Sequence, residues 1–146
     1  MDYDIWGSWS PAVGPNAPLN DACAPPADQQ GSAVSAVKAW TAAGMPVHKI
    51  VLGVPSYGHS FSVPLSDAFV NGSKIELAPY PKFNASNQPL GDVWDDTGSV
   101  DPCGVYHGPG GTFNLWGLVA GGFLDNGGNP VSGIYYRYDS CSQTVE

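Results

Sequence analysis

Lys49-Ile50-Val51-Leu52-Gly53-Val54 is an unbroken apolar run behind one lysine, and Pro55-Ser56-Tyr57-Gly58 carries it into a loop. The run does not alternate, so an extended segment here would be apolar on both faces. That is the pattern of a strand covered on both sides, as in a parallel sheet flanked by helices. Upstream, Ser32 is a suitable N-cap, and Ala33, Val37 and Trp40 fall at helical spacing. Gly44 sits where a left-handed C-terminal residue is wanted, and Pro46 prevents continuation, so a helix is expected over 32–43. Before it lie a short predicted strand at 1–7 and a loop at 8–31 rich in Pro, Gly, Asn and Asp. Strand, long loop, helix and buried strand make a βαβ unit, which belongs to parallel sheets and barrels. The unit occupies about 55 residues, whereas a whole (β/α)8 barrel takes about 250.

Residues 62–146 do not repeat the pattern. Ile75, Leu77 and Tyr80 suggest a short alternating strand, and Thr112 to Leu124 a helix ended by Gly127-Gly128. Val131 to Tyr138 alternates, with Ile134, Tyr136 and Tyr138 on one face, which predicts a further strand. The expected fold class is therefore α/β: about two strands of a barrel over 1–61, followed by a small α+β module over 62–146.

Composition narrows the function. Among 146 residues 42% are hydrophobic and only 12% charged, with 19 Gly and 14 Pro, which implies long, shaped loops. A formal charge of −8 with five Lys and Arg argues against nucleic acid or an anionic membrane as partner. No apolar run approaches the roughly 20 residues of a membrane span. Asn71-Gly72-Ser73 and Asn84-Ala85-Ser86 are N-glycosylation acceptor patterns, which fit an extracellular protein. Yet Met1-Asp2-Tyr3-Asp4 has neither the basic nor the apolar region of a signal peptide, and the cysteines number three. These features predict a piece of a longer, secreted protein, the alternative being a cytosolic protein with unpaired thiols.

Four stretches resemble family 18 glycoside hydrolases, the chitinases, and most closely their fungal members. Met1-Asp2-Tyr3-Asp4 resembles the Met-x-Tyr-Asp signature of the sixth barrel strand, and Gly7-Ser8-Trp9 through Leu19 the loop after it. Leu52-Gly53-Val54-Pro55-Ser56-Tyr57-Gly58-His59-Ser60-Phe61 resembles the seventh strand and its exit. Trp116-Gly117-Leu118 and Tyr135-Tyr136-Arg137-Tyr138-Asp139-Ser140-Cys141-Ser142-Gln143-Thr144 resemble the family's α+β insertion domain. The family's catalytic signature, Asp-x-x-Asp-x-Asp-x-Glu, does not occur here, and Val145-Glu146 stands where the family continues with Pro. The resemblance thus implies a chitinase piece that lacks the catalytic acid.

The family works by substrate assistance: the sugar's own acetamido oxygen attacks the anomeric carbon, while a Glu protonates the leaving oxygen. A phenol donor suits the acetamide carbonyl, and a nearby carboxylate suits the developing positive charge. Resemblance gives those roles to Tyr3 and Asp4, has Met1 line the pocket, and makes Trp9 and Tyr57 further sugar contacts. The implied ligand is chitin or N-acetylglucosamine oligomers, bound by a monomer. The alternative is a non-catalytic chitin-binding, chitinase-like protein. His59 stands where many relatives carry Arg and is read as structural, and Trp116 as a core residue.

Cys103 and Cys141 both fall in the insertion and are expected to pair, which leaves Cys23 over. His48, His59 and His107 lack zinc-site spacing, and Asp95-Asp96 reads as a solvated turn rather than a calcium loop. With no Gly-rich phosphate loop before a helix, no cofactor and no metal are expected.

Overall fold

The computed structural model describes all 146 residues. In chain order its elements are α1 (Ala33–Ala42), β1 (Tyr57–His59), β2 (Ser99–Val100), β3 (Tyr106–His107), β4 (Thr112–Asn114), α2 (Leu115–Ala120), β5 (Tyr138–Asp139) and β6 (Thr144–Val145). The backbone packs as two compact units. The first comprises Met1–Gly7, Gly14–Pro55 and Arg137–Glu146, the second Ser8–Val13 and Ser56–Tyr136.

In the first unit, α1 begins at a capping box. Ser32 Oγ accepts the Ser35 N–H at 3.2 Å, and Ser35 Oγ accepts the Ser32 N–H at 2.8 Å. Asp21 ties the preceding loop to the same point, accepting the Gly31 N–H at 2.9 Å and the Ser32 hydroxyl at 2.8 Å. The helix ends in a Schellman motif: Gly44 N–H donates to the Thr41 carbonyl and Met45 N–H to that of Trp40, with Gly44 at φ 93°. The C-terminal β5–β6 hairpin docks on the Pro-rich loop through Leu19 N–H to the Ser142 carbonyl at 2.8 Å. The Cys23–Cys141 disulfide joins the same two segments across 118 residues.

In the second unit β1 pairs antiparallel with β4, and β2 with β3. Asn114 ends β4 and at once caps α2, its Oδ1 accepting the Gly117 N–H at 2.9 Å. Edge-to-face ring pairs, Phe61–Phe83, Phe69–Tyr135 and Phe113–Phe123, hold the long connections. No helix is long and apolar enough to cross a membrane.

Several expectations are corrected. Residues 1–7 and 49–54 form no strand, and every sheet is a two-stranded antiparallel pair rather than part of a parallel ladder. The physical reason is lack of cover. Val51 is 92% and Val54 72% exposed, and the hydrogen bond from Asp2 N–H to the Gly53 carbonyl does not make a ladder. The predicted helix from Thr112 splits into β4 and the six-residue α2, because Asn114 caps in mid-run and Gly121-Gly122 stop it. The stretch around Ile75 gives a lone Phe69–Leu77 bridge, and of Val131 to Tyr138 only Tyr138 enters a strand. Trp116, read as core, is 77% exposed. Cys141 pairs with Cys23, not with Cys103, which is an exposed free thiol in the other unit. By compactness residues 137–146 group with the first unit, to which the disulfide and the Leu19–Ser142 bond tie them; this grouping does not bear on the expected domain boundary at residue 61.

Candidate functional site

In the first unit the extended N-terminal segment turns at Asp4, whose φ of 57° lies in the left-handed region that Asp tolerates better than most residues. Asn16 holds the turn twice. Its Oδ1 accepts the Asp4 N–H at 3.1 Å, and its carbonyl accepts the Ile5 N–H at 3.2 Å. Just beyond, Trp6 is 1% exposed, and Gly14 lies against its ring so closely that a Cβ there would overlap Trp6 Cδ2. The clamp between residues 4–6 and 14–16 leaves Asp4 exposed and Tyr3 half-buried.

Gly53 gathers two further candidates. A Cβ on it would come 3.3 Å from Tyr3 Cε1 and 3.7 Å from Met1 Cα, so the bare backbone of the apolar run passes beneath both. Met1 is 91% exposed. Asp2, between them, is buried, and this burial holds its carboxyl above the ordinary carboxylate range, with a smaller opposing effect from the amino terminus.

The other two candidates belong to the second unit. Trp9 is 68% exposed on a short segment anchored by Val13 N–H to the Pro81 carbonyl at 2.8 Å. Tyr57 opens β1 opposite Asn114, and its ring meets His59 edge-on with centroids 5.7 Å apart. The structure therefore brings Met1 and Tyr3 together over Gly53 with Asp4 next in the chain, while Trp9 and Tyr57 belong to the other compact unit.

The second unit also has an open cleft of about 290 Å³ lined by Asp92, Trp94, Asp95, Asp96, Gly110, Thr112 and Asn114. Its carboxylates build the loop. Asp95 Oδ2 accepts the Gly91 N–H at 3.0 Å and the Gly111 N–H at 2.8 Å. Asp92 accepts the Trp94 and Asn114 N–H groups at 2.8 and 2.9 Å. Burial pushes the Asp95 carboxyl up, but the backbone N–H groups of Thr112, Gly91 and Gly111 outweigh it and leave it below the usual range. Asp95 is thus a structural acceptor rather than a solvated turn residue. No three His, Cys, Asp or Glu side chains group to hold a metal ion. Trp94, 82% exposed beside hydroxyl, amide and carboxyl groups, offers an indole face suited to a neutral polyhydroxylated ligand. Asp92, Trp94, Thr112 and Asn114 were missed in sequence. The available signal was Asp92-Val93-Trp94-Asp95 directly after Gly91, a spacing of acids that builds local turns.

The geometry can be set beside known proteins. The family model described as "Glycosyl hydrolases family 18" matches residues 1–102. A chitinase-like effector of Moniliophthora roreri is 56% identical over 144 residues, covering 99% of this chain and 35% of that protein. A chitinase-like effector of Moniliophthora perniciosa is 58% identical over 143 residues, covering 98% of this chain and 32% of that one. Among solved structures, the crystal structure of a chitinase from Rhizomucor miehei aligns with a TM-score of 0.77 at 29% identity. That alignment covers 99% of this chain and 37% of the other. The chain thus adopts part of the family fold, and it spans about a third of the length of these curated relatives.

Proposed function

The chain belongs to the family 18 glycosyl hydrolases, and from that premise we propose that it forms part of the sugar-binding wall of an extracellular chitinase-like protein. Its ligand is a β-1,4-linked N-acetylglucosamine oligomer. Residues 1–7 and 49–54 take the places of the family's sixth and seventh barrel strands without forming a ladder in this chain, and 62–146 take that of its insertion domain. The observation that carries the reading is the clamped turn at Asp4. Asn16, Trp6 and Gly14 fix the backbone on either side, so an exposed carboxylate follows a half-buried phenol in one defined conformation.

In a substrate-assisted mechanism that pair has a task. The Tyr3 hydroxyl donates to the acetamide carbonyl and keeps its oxygen in line with the anomeric carbon. The Asp4 carboxylate balances the positive charge as the oxygen attacks. Protonating the leaving oxygen requires an acid from the Asp-x-x-Asp-x-Asp-x-Glu motif, which is not among these 146 residues. The chain by itself therefore binds without cleaving, with an affinity of about millimolar, or roughly 4 kcal/mol. In the whole protein the same wall serves either hydrolysis or, as the alternative, recognition alone.

The test is calorimetric titration of the 146-residue chain with N-acetylglucosamine tetramer, followed by mass spectrometry of the same mixture. Weak binding, intact oligomer and at least a fivefold loss of affinity in Asp4→Ala support the proposal. Cleavage that survives Asp4→Ala would show that a different carboxylate does the chemistry, and binding unaffected by Asp4→Ala would move the site elsewhere.

A further inference from the structure

Eight asparagines occur in the chain, and two of them, Asn71 and Asn84, open the triplets Asn71-Gly72-Ser73 and Asn84-Ala85-Ser86. Both lie in the second unit, and both are exposed. Asn71 occupies the tip of a small hairpin. Ser73 N–H donates to the Val70 carbonyl at 2.8 Å to close the turn, and the Phe69–Leu77 bridge fixes its base. The Asn71 side chain makes no hydrogen bond, and Ile75 just beyond the triplet is 72% exposed. Asn84 stands in a second turn, with its N–H on the Ser62 carbonyl at 2.8 Å and its own carbonyl accepting the Asn87 N–H at 3.0 Å. Its Oδ1 accepts the Ser86 N–H at 3.1 Å, so the amide oxygen is engaged while Nδ2 donates to nothing. The other asparagines lack the triplet, and several use their side chains to hold structure, as Asn16 and Asn114 do.

We infer that Asn71 and Asn84 are both N-glycosylated in the protein that leaves the cell. The donor is an oligosaccharide on a lipid pyrophosphate. Asn Nδ2 forms a bond to the anomeric carbon of its first N-acetylglucosamine as the bond from that carbon to the pyrophosphate oxygen breaks. Nδ2 gives up one proton, and the lipid pyrophosphate departs with the electron pair. Transfer happens before folding is complete, so the fold must tolerate the product. Two turn asparagines with unengaged Nδ2 atoms meet that condition, whereas a glycan on Asn87 or Asn129 would crowd an Nδ2 that already donates to the Ser62 hydroxyl or to the Asp125 carboxylate. The assignment rests on the extracellular part of the proposed function, and it is independent of whether the chain binds sugar.

The test is expression of the full chain behind a secretory leader in a yeast. The mass of the protein in the medium, or in the lumenal fraction if it is retained, is read before and after peptide N-glycosidase in ¹⁸O water. The expected result is two glycans, with Asn71 and Asn84 each converted to ¹⁸O-labelled Asp. Asn71→Gln and Asn84→Gln each remove one glycan, and the double variant removes all. An unmodified mass, or a glycan that survives the double variant, overturns the assignment. Because the leader is supplied, those outcomes bear on the sites alone. Glycans in yeast but none on the protein from its natural host would instead overturn the extracellular reading.

Discussion

At the scale of single residues the contact between Gly14 and Trp6 is the tightest constraint near the candidate site. Trp6 is 1% exposed, and the rigid rings of Pro15 and Pro18 are buried in the same unit, so little there can yield. Gly14→Ala drives a methyl into the Trp6 indole, and overpacking of this kind costs about 1–3 kcal/mol. In urea, with a slope of about 1–3 kcal/mol/M, the unfolding midpoint should fall by roughly 1 M. An unchanged midpoint would mean that loop 14–16 is not clamped on Trp6 as described. Tyr3 and Asp4 were legible as residue types, since a phenol followed by a carboxylate suits an acetamide. The turn that presents them was not, because it depends on Asn16, which nothing local in the sequence marks as their partner. Cysteine pairing was illegible for a similar reason. Three cysteines permit three pairings, and the one adopted is set by docking of the β5–β6 hairpin on the Pro-rich loop.

At the scale of elements, α1 was read correctly from cap to stop because its signals are local. Ser32, Gly44 and Pro46 act through neighbours a few residues away. Strands carry no such guarantee. The apolar run at 49–54 has the composition of a buried strand, but a strand exists only through its neighbours, and here Val51 and Val54 meet none that cover them. The second unit was hard to read because its strands are two or three residues long and its turns are held by aspartates bonding to distant N–H groups, as Asp95 does with Gly111. The capping box gives a prediction at this scale. Ser32→Ala removes both the cap and the bond to Asp21, and should cost about 1–2 kcal/mol, while Ser32→Thr recovers most of it. Chemical denaturation followed by far-ultraviolet circular dichroism reads both variants. Equal stability of Ser32→Ala and the parent would show that Pro18 and Leu19, whose carbonyls accept the Ala33 and Val34 N–H groups, fix the helix start without the cap.

At the scale of the whole molecule the two units are stabilised by different means and should respond to solution conditions in opposite ways. The first is closed by Cys23–Cys141, a loop long enough for cross-linking to contribute about 4–5 kcal/mol, largely by restricting the unfolded chain. Reduction, or Cys141→Ser, should therefore unfold the first unit at much lower urea, while Cys103 reacts with iodoacetamide before any reductant is added. Protonation separates the units further. In the first, burial raises the carboxyls of Asp2 and Glu146, in Glu146 despite Arg137 Nη1 at 3.3 Å from Oε2. A raised carboxyl binds its proton more tightly folded than unfolded. Stability of this unit accordingly rises as the pH falls from neutral through the raised values, and levels off near the ordinary 3.8 and 4.5. In the second unit Asp95, Asp101 and Asp125 are lowered, Asp101 chiefly by the His107 side chain at 3.0 Å and Asp125 by the Asn129 backbone. Their contribution is complete above the ordinary 3.8 and is lost as the pH falls through their depressed values. Hydrogen exchange at pH 6, 4 and 3 should then show protection in α1 rising between the first two, and protection at Gly111 and Asn114 falling between the last two. Asp2→Asn should abolish part of the first trend and Asp95→Asn most of the second. Parallel trends in both units would mean that net charge, rather than these particular carboxyls, governs how the fold meets acid.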